Sequence, residues 1–280
     1  MSAAMRSGLA ETQFVETPDG RIAYRRFGRQ EGVPLVLAMR FRGTMDHWDP
    51  ALLDALAAHH DVIVFDNVGT AASTGEAPDS VDGLARGLLG FVEALGFDRV
   101  DLLGWSMGGY VVQAAALQQP ERIRRLVVAG SGPGTAPGVE RMTPEIMRIA
   151  TKSTNDDEDF LRLFFPTDAA ARHRGLASLR RLDARLDTSG AVVAADTVRR
   201  QLAVIQGVGT TIWDRLDQLT QPVLLATGVQ DVMISAYGNF LMAQRLPNAR
   251  LLIYGDAGHG FLFQHAEEFA DDVHRFLSRQ

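Results

Sequence analysis

Three side chains far apart in the chain have the right types to break an acyl bond. Ser106 stands in Gly104-Trp105-Ser106-Met107-Gly108, followed by Gly109, a G-x-S-x-G pattern between a predicted strand and a predicted helix. In that setting the turn lifts the hydroxyl clear of the sheet and holds it at the positive end of a helix. A serine hydroxyl is a weak nucleophile at neutral pH and needs a base. His259, in Gly255-Asp256-Ala257-Gly258-His259-Gly260, sits on a glycine-flanked loop after the last predicted strand. His59 and His60 close a predicted helix, His173 and His274 lie inside helices, and neither His47 nor His265 has such a loop. The third requirement is a carboxylate that fixes the imidazole tautomer. Asp231, in Thr227-Gly228-Val229-Gln230-Asp231, follows a strand end. Asp256 is its rival, but only three residues of tight loop separate it from His259. The chemistry expected of such a set is nucleophilic acyl transfer.

Strand and helix signals alternate so as to place these residues. Short apolar runs predict buried strands at Pro34–Met39, Asp61–Asp66, Arg99–Trp105, Ile123–Ala129, Pro222–Thr227 and Arg250–Tyr254, after an earlier strand at Arg21–Phe27. Helical spacing predicts helices at Asp49–His60, Ser80–Leu95, Ser106–Gln119, Ala236–Arg245 and Glu267–Leu277. Between about Gly134 and Asp217 only helical patterns occur, at Thr143–Thr151, Asp156–Phe165, Thr167–Leu186 and Ala191–Ile205. The fold class expected is α/β, a mainly parallel central sheet with helices on both faces and an inserted helical lid. Residues 14–133 and 218–280 form the expected core, 134–217 the lid, and 1–13 a flexible N-terminus.

Composition narrows the function further. The 280 residues are 46% hydrophobic and 22% charged, which suits one globular domain with an insertion. A net charge of −6 with no basic stripe argues against a nucleic-acid partner. With no cysteine, disulfides and thiolate chemistry are excluded. No apolar run reaches the roughly 20 residues of a membrane span, so a cytoplasmic protein without a membrane partner is expected. The run Asp156 to Asp159 reads as the acidic start of a helix.

The serine motif, the chain order Ser106, Asp231, His259 and the position of the helical block resemble the α/β-hydrolase superfamily over residues 14–280. Asp66-Asn67-Val68-Gly69 resembles its D-x-x-G turn, and Ala257-Gly258-His259 its histidine loop. The resemblance implies a serine hydrolase of esterase or lipase type, or a cofactor-free haloperoxidase-like member. It implies Ser106, Asp231 and His259 as catalytic residues, no metal and no organic cofactor. Substrates would be small acyl compounds: carboxylic esters first, then lactones, thioesters or vinylogous carbon–carbon acyl bonds. Alternatives are a ligand-binding receptor or weakly catalytic scaffold, and a lyase or perhydrolase using the same residues. Nothing in the sequence decides between monomer and homodimer.

One stretch departs from the superfamily. Where its members carry His-Gly-x, this chain has Met39-Arg40-Phe41, followed by Arg42-Gly43-Thr44. By position, the oxyanion donors implied are the amides of Phe41 and Met107. Arg40 and Arg42 admit two readings. One of them, Arg40 first, binds a substrate carboxylate or other oxyanion; or they form ion pairs with Asp46 or Asp49 in place of the missing motif. Trp105 and Met107, beside the nucleophile, are expected as pocket walls. Phe160, Leu161, Phe164 and Phe165, with the stripe Leu176, Leu179, Leu182 and Leu186, are expected mainly to pack the lid.

Overall fold

The computed structural model describes residues 7–279. Among them lies an eight-stranded sheet in the order β1-β2-β4-β3-β5-β6-β7-β8. Its first two strands, β1 (Gln13–Thr17) and β2 (Gly20–Gly28), form a hairpin, and β2 pairs antiparallel with β4 (Asp61–Phe65). All further pairs, through β3 (Leu35–Ala38), β5 (Val100–Trp105), β6 (Ile123–Ala129), β7 (Val223–Gly228) and β8 (Ala249–Tyr254), are parallel. The predicted strands all appear; β1 was not foreseen, because Gln13–Thr17 mixes one exposed phenylalanine with polar residues and carries little burial signal.

The central strands are apolar on both faces because helices cover both. Leu35, Leu37, Val62, Val64, Leu103 and Trp105 point to one side, against α1 (Pro50–Ala57), α9 (Phe261–Gln264) and α10 (Ala266–Leu277). Val36, Ala38, Ile63, Phe65, Val100 and Leu102 point to the other, against α2 (Val81–Ala94), α3 (Met107–Gln118) and α8 (Ala236–Arg245). The period-two alternation of a strand makes that division. Asp49 and Ser80 cap α1 and α2 by accepting from Ala51 and Gly83 amides.

Between β6 and β7 the chain forms four α-helices, a 3₁₀ turn at Trp213–Gln218 and no strand: α4 (Pro144–Ala150), α5 (Asp157–Phe164), α6 (Ala169–Ser189) and α7 (Ala195–Gly207). The acidic run begins α5 as expected, with a reciprocal capping box between Asp156 and Asp159. Polar bonds fasten these helices to the core. Asp49 accepts from Ser178 Oγ at 2.7 Å and from Arg181 Nε and Nη2 at 2.7 Å each. Asp46 accepts from Arg25 Nη1 at 2.5 Å and Arg185 Nε at 2.7 Å. Burial pushes the Asp46 carboxyl up, but the bonds from Arg25 and Arg185 hold it below its ordinary value. The Thr197 hydroxyl donates to Gly69 O at 2.7 Å. Of residues 1–13, expected to be flexible, 1–6 lie outside the described residues. Ser7–Leu9 forms a 3₁₀ turn in which the Ser7 amide and hydroxyl both donate to Asp54, at 2.8 and 2.7 Å. No described helix is long and apolar enough to cross a membrane.

Candidate active site

Parallel strands bring the three expected residues to one edge. Ser106 follows β5, Asp231 follows β7 and His259 follows β8. The ladder extends past the strand ends: Ser106 N donates to Ala129 O at 2.9 Å, and Gly130 N to Ala226 O at 2.8 Å. Val229 N donates to Tyr254 O and Gln230 N to Ala257 O, both at 3.0 Å, which draws the Asp231 turn against the histidine loop.

Ser106 has φ +56° and ψ −120°, a conformation an L-residue holds only when its surroundings impose it. Two glycines allow the turn. A Cβ on Gly104 would lie 2.2 Å from Gly108 O, and one on Gly108 would lie 2.0 Å from Ala38 O. These are backbone atoms of α3 and β3 and cannot step aside cheaply. Gly108→Ala is therefore expected to cost about 3 kcal/mol in urea unfolding; a loss under about 1 kcal/mol would show that the helix can lift off β3.

His259 and Asp231 form a buried pair. Both side chains are closed to solvent, and Nδ1 lies 2.7 Å from Asp231 Oδ2. The other carboxylate oxygen accepts from the Met233 and Ile234 amides, each at 2.8 Å. The other ring nitrogen, Nε2, is enclosed and has no hydrogen-bond partner among the described residues. No hydrogen bond joins it to Ser106, although both residues line one cavity. Such bonds characteristically shorten when substrate docks. Asp256, the alternative carboxylate, pairs instead with Arg174 at 2.9 Å and His265 at 2.8 Å.

Trp105 lies outside the cavities that reach Ser106, contrary to its expected place in the wall. The last residue of β5, it is fully buried, and its Nε1 donates to His259 O at 3.1 Å. Its ring and that of Phe164 flank the imidazole, at centroid distances of 5.7 and 5.6 Å. Gly260 N donates to Phe164 O at 2.7 Å, so the end of α5 also holds the histidine loop.

The Arg40–Gly43 loop departs from the expected ion pairs. Asp46 and Asp49 are taken by Arg25, Arg185 and Arg181. Arg42 instead donates from Nη1 to Lys152 O at 2.5 Å and from Nη2 to Ser153 O at 2.8 Å. Its amide donates to Gln201 Oε1 at 2.8 Å, and its own φ is +57°. Arg42 thus pins this loop to the helical insertion. The Phe41 and Met107 amides find no acceptor among the described residues.

Ser106 opens on two chambers. One, of about 340 Å³, is lined by Arg40, His47, Phe160, Phe164, Leu182 and His259, among others. The second, of about 250 Å³, is lined by Met107, Tyr110, Met142, Met147, Leu202 and Ile205, among others. Phe41, Ala150 and Met233 border both. More of the insertion faces the chambers than periodicity suggested: Leu179 and Leu186 join Leu182 on the first wall. His47, Tyr110 and Met233 were not singled out from sequence. His47 and Met233 are brought to Ser106 from distant segments and Tyr110 lies one turn along α3, and no local pattern marks them. Burial, then the charge of Asp231, pushes the Tyr110 phenol up to about 12. Among the described residues no cluster of three or more histidines or carboxylates could hold a metal ion.

A family model described as alpha/beta hydrolase fold matches residues 34–266. A solved alpha/beta hydrolase fold protein from Chitinophaga pinensis superimposes with a TM-score of 0.90 and 33% identity, covering 99% of this chain and 100% of that one. A polyketide synthase of Burkholderia thailandensis is 31% identical over 96% of this chain, which spans only 13% of that synthase. A 2-hydroxymuconate semialdehyde hydrolase of Pseudomonas putida is 31% identical over 68% of this chain and 66% of its own length.

Proposed function

We propose, since the chain belongs to the α/β-hydrolase fold family, that it hydrolyses a small acyl substrate through an acyl-enzyme on Ser106. The observation that carries this reading is the His259 imidazole, its Nδ1 bound to Asp231 and its Nε2 unpartnered in the cavity that Ser106 also lines. A neutral imidazole so held has one nitrogen free to accept a proton.

In the proposed reaction Ser106 Oγ bonds to the acyl carbon while its proton passes to His259 Nε2. The resulting oxyanion is held by the Phe41 and Met107 amides; removing one such donor typically costs about 10²–10³ in rate. The bond from acyl carbon to leaving oxygen then breaks, and His259 returns the proton to that oxygen. Water repeats the sequence on the acyl-enzyme, releasing the carboxylic acid and restoring Ser106. Asp231 stabilises the imidazolium formed in both halves. The insertion α4–α7 serves as the lid that shapes both chambers. A carboxylic ester is the first substrate class, because the smaller chamber presents Met142, Met147, Leu202 and Ile205 beside Ser106, an apolar surface that suits an acyl chain.

The test is covalent labelling. A fluorophosphonate is expected to modify the protein at one residue, and peptide mass spectrometry should place the adduct on Ser106. A folded protein that takes up no label would overturn the reading in favour of a binding scaffold, and an adduct on another serine would overturn the assignment of the nucleophile.

A further inference from the structure

We infer that the substrate is an ester between an apolar acid and an alcohol that carries a carboxylate, with the carboxylate seated on Arg40. The inference rests on the serine-hydrolase reading above and gives that site its substrate class.

The side of the leaving group follows from proton bookkeeping. The leaving oxygen receives its proton from His259 Nε2, so it must lie on the side of the imidazole. His259 lines the larger chamber and not the smaller one. The alcohol portion therefore occupies the chamber of Arg40 and His47, and the acyl chain the chamber of Met142, Met147, Leu202 and Ile205.

Arg40 is a partly buried cation of that chamber with no carboxylate partner among the described residues. Arg25, Arg26, Arg124, Arg181 and Arg185, where they reach inward, each meet an aspartate. Arg40 has no carboxylate within 4.0 Å among the described residues. Its one hydrogen bond runs from Nη1 to the Phe41 carbonyl at 2.7 Å, while Nε is enclosed and unpartnered. Its guanidinium lies over the rings of Trp105 and Phe164, 5.6 and 5.3 Å from their centroids, so its planar fork is held in place. Burial, then the charge of Arg42, lowers its pKa to about 10, which leaves it cationic at neutral pH. A fixed, partly buried guanidinium with spare donors is a receptor for a carboxylate.

The other charges around the chamber do not supply that anion. Arg42 is bound to carbonyls of the α4–α5 loop. His47 is neutral: burial, then the charge of Arg40, lowers it to about 3, and its Nδ1 accepts from the Thr44 amide at 3.1 Å. Asp156, Asp157 and Asp183 line the chamber but are exposed, where water and salt screen them.

The experiment compares two esters with one acyl group: the hexanoyl ester of glycolate and that of glycolamide, nearly equal in shape but differing by one charge. Wild-type kcat/KM is expected to favour the glycolate ester by about 10- to 100-fold, the range of a charged hydrogen bond. In Arg40→Gln the ratio should fall to near one, and Arg40→Lys should recover part of it. The ratio is the readout because Arg40 also bonds to Phe41 O and its loss disturbs both reactions. A wild-type ratio near one, or a ratio that survives in Arg40→Gln, overturns the inference. Should Arg40→Gln fail to fold, the wild-type ratio and the lysine variant decide. Phosphonate labelling of Ser106 without turnover of either ester overturns the inference while the serine reading stands; neither labelling nor turnover overturns that reading itself.

Discussion

Ser106→Ala is expected to lower kcat for ester hydrolysis by about 10⁴–10⁶ and to abolish phosphonate labelling, with the fold intact. The size follows from the route: without Oγ no acyl-enzyme forms, and only the oxyanion donors and substrate binding remain to assist water. The fold should survive because the Ser106 hydroxyl makes no hydrogen bond among the described residues, and alanine meets the same backbone strain at φ +56°. Thermal unfolding within a few degrees of wild type would separate a chemical loss from a structural one. Turnover close to wild type in a folded Ser106→Ala protein would instead require His259 to act directly on the substrate, as in a lyase.

The second large effect is expected from Asp231→Asn, a loss of about 10⁴ in kcat with little change in stability. The reason lies in how the carboxylate is held. Oδ1 accepts two amide hydrogens, from Met233 and Ile234, and Oδ2 faces His259 Nδ1. An asparagine keeps its oxygen toward the two amides and turns its NH₂ toward Nδ1. The imidazole must then accept at Nδ1 and carry its proton on Nε2, the nitrogen that has to receive the serine proton. Steady-state kinetics beside circular dichroism would test this. An asparagine variant with near-native kcat would mean that the tautomer is set by some other group, and would remove Asp231 from the proposed mechanism.

The fold was legible from sequence wherever burial is two-sided. β3, β4, β5 and β7 read as strands because they are mostly apolar and helices cover both faces, and the insertion read as helices because its apolar residues recur at helical spacing. β1 escaped because an edge strand paired on one side, with exposed polar residues, has no such signature. The expected pairing of Arg40 and Arg42 with Asp46 and Asp49 failed for a related reason. Proximity in sequence made those partners attractive, but Arg181 and Arg185, on α6, and Arg25, on β2, reach the same aspartates first. Trp105 stands behind the expected wall, packed against His259, Phe164 and Arg40, which line the chamber in its place.

By itself the sequence determined the family and the order of the strands and helices that bury apolar residues, and it singled out the three strand-end residues proposed for catalysis. Those are local properties: a glycine pattern at a tight turn, a histidine on a short loop, and a periodicity that reports burial. The tertiary structure alone decided which surfaces face Ser106. It set His47, Met233 and Tyr110 around the nucleophile, turned Trp105 behind the imidazole, and left Arg40 without an acidic neighbour. Whether a buried charge is matched depends on side chains that arrive from remote segments, and no window of sequence contains them.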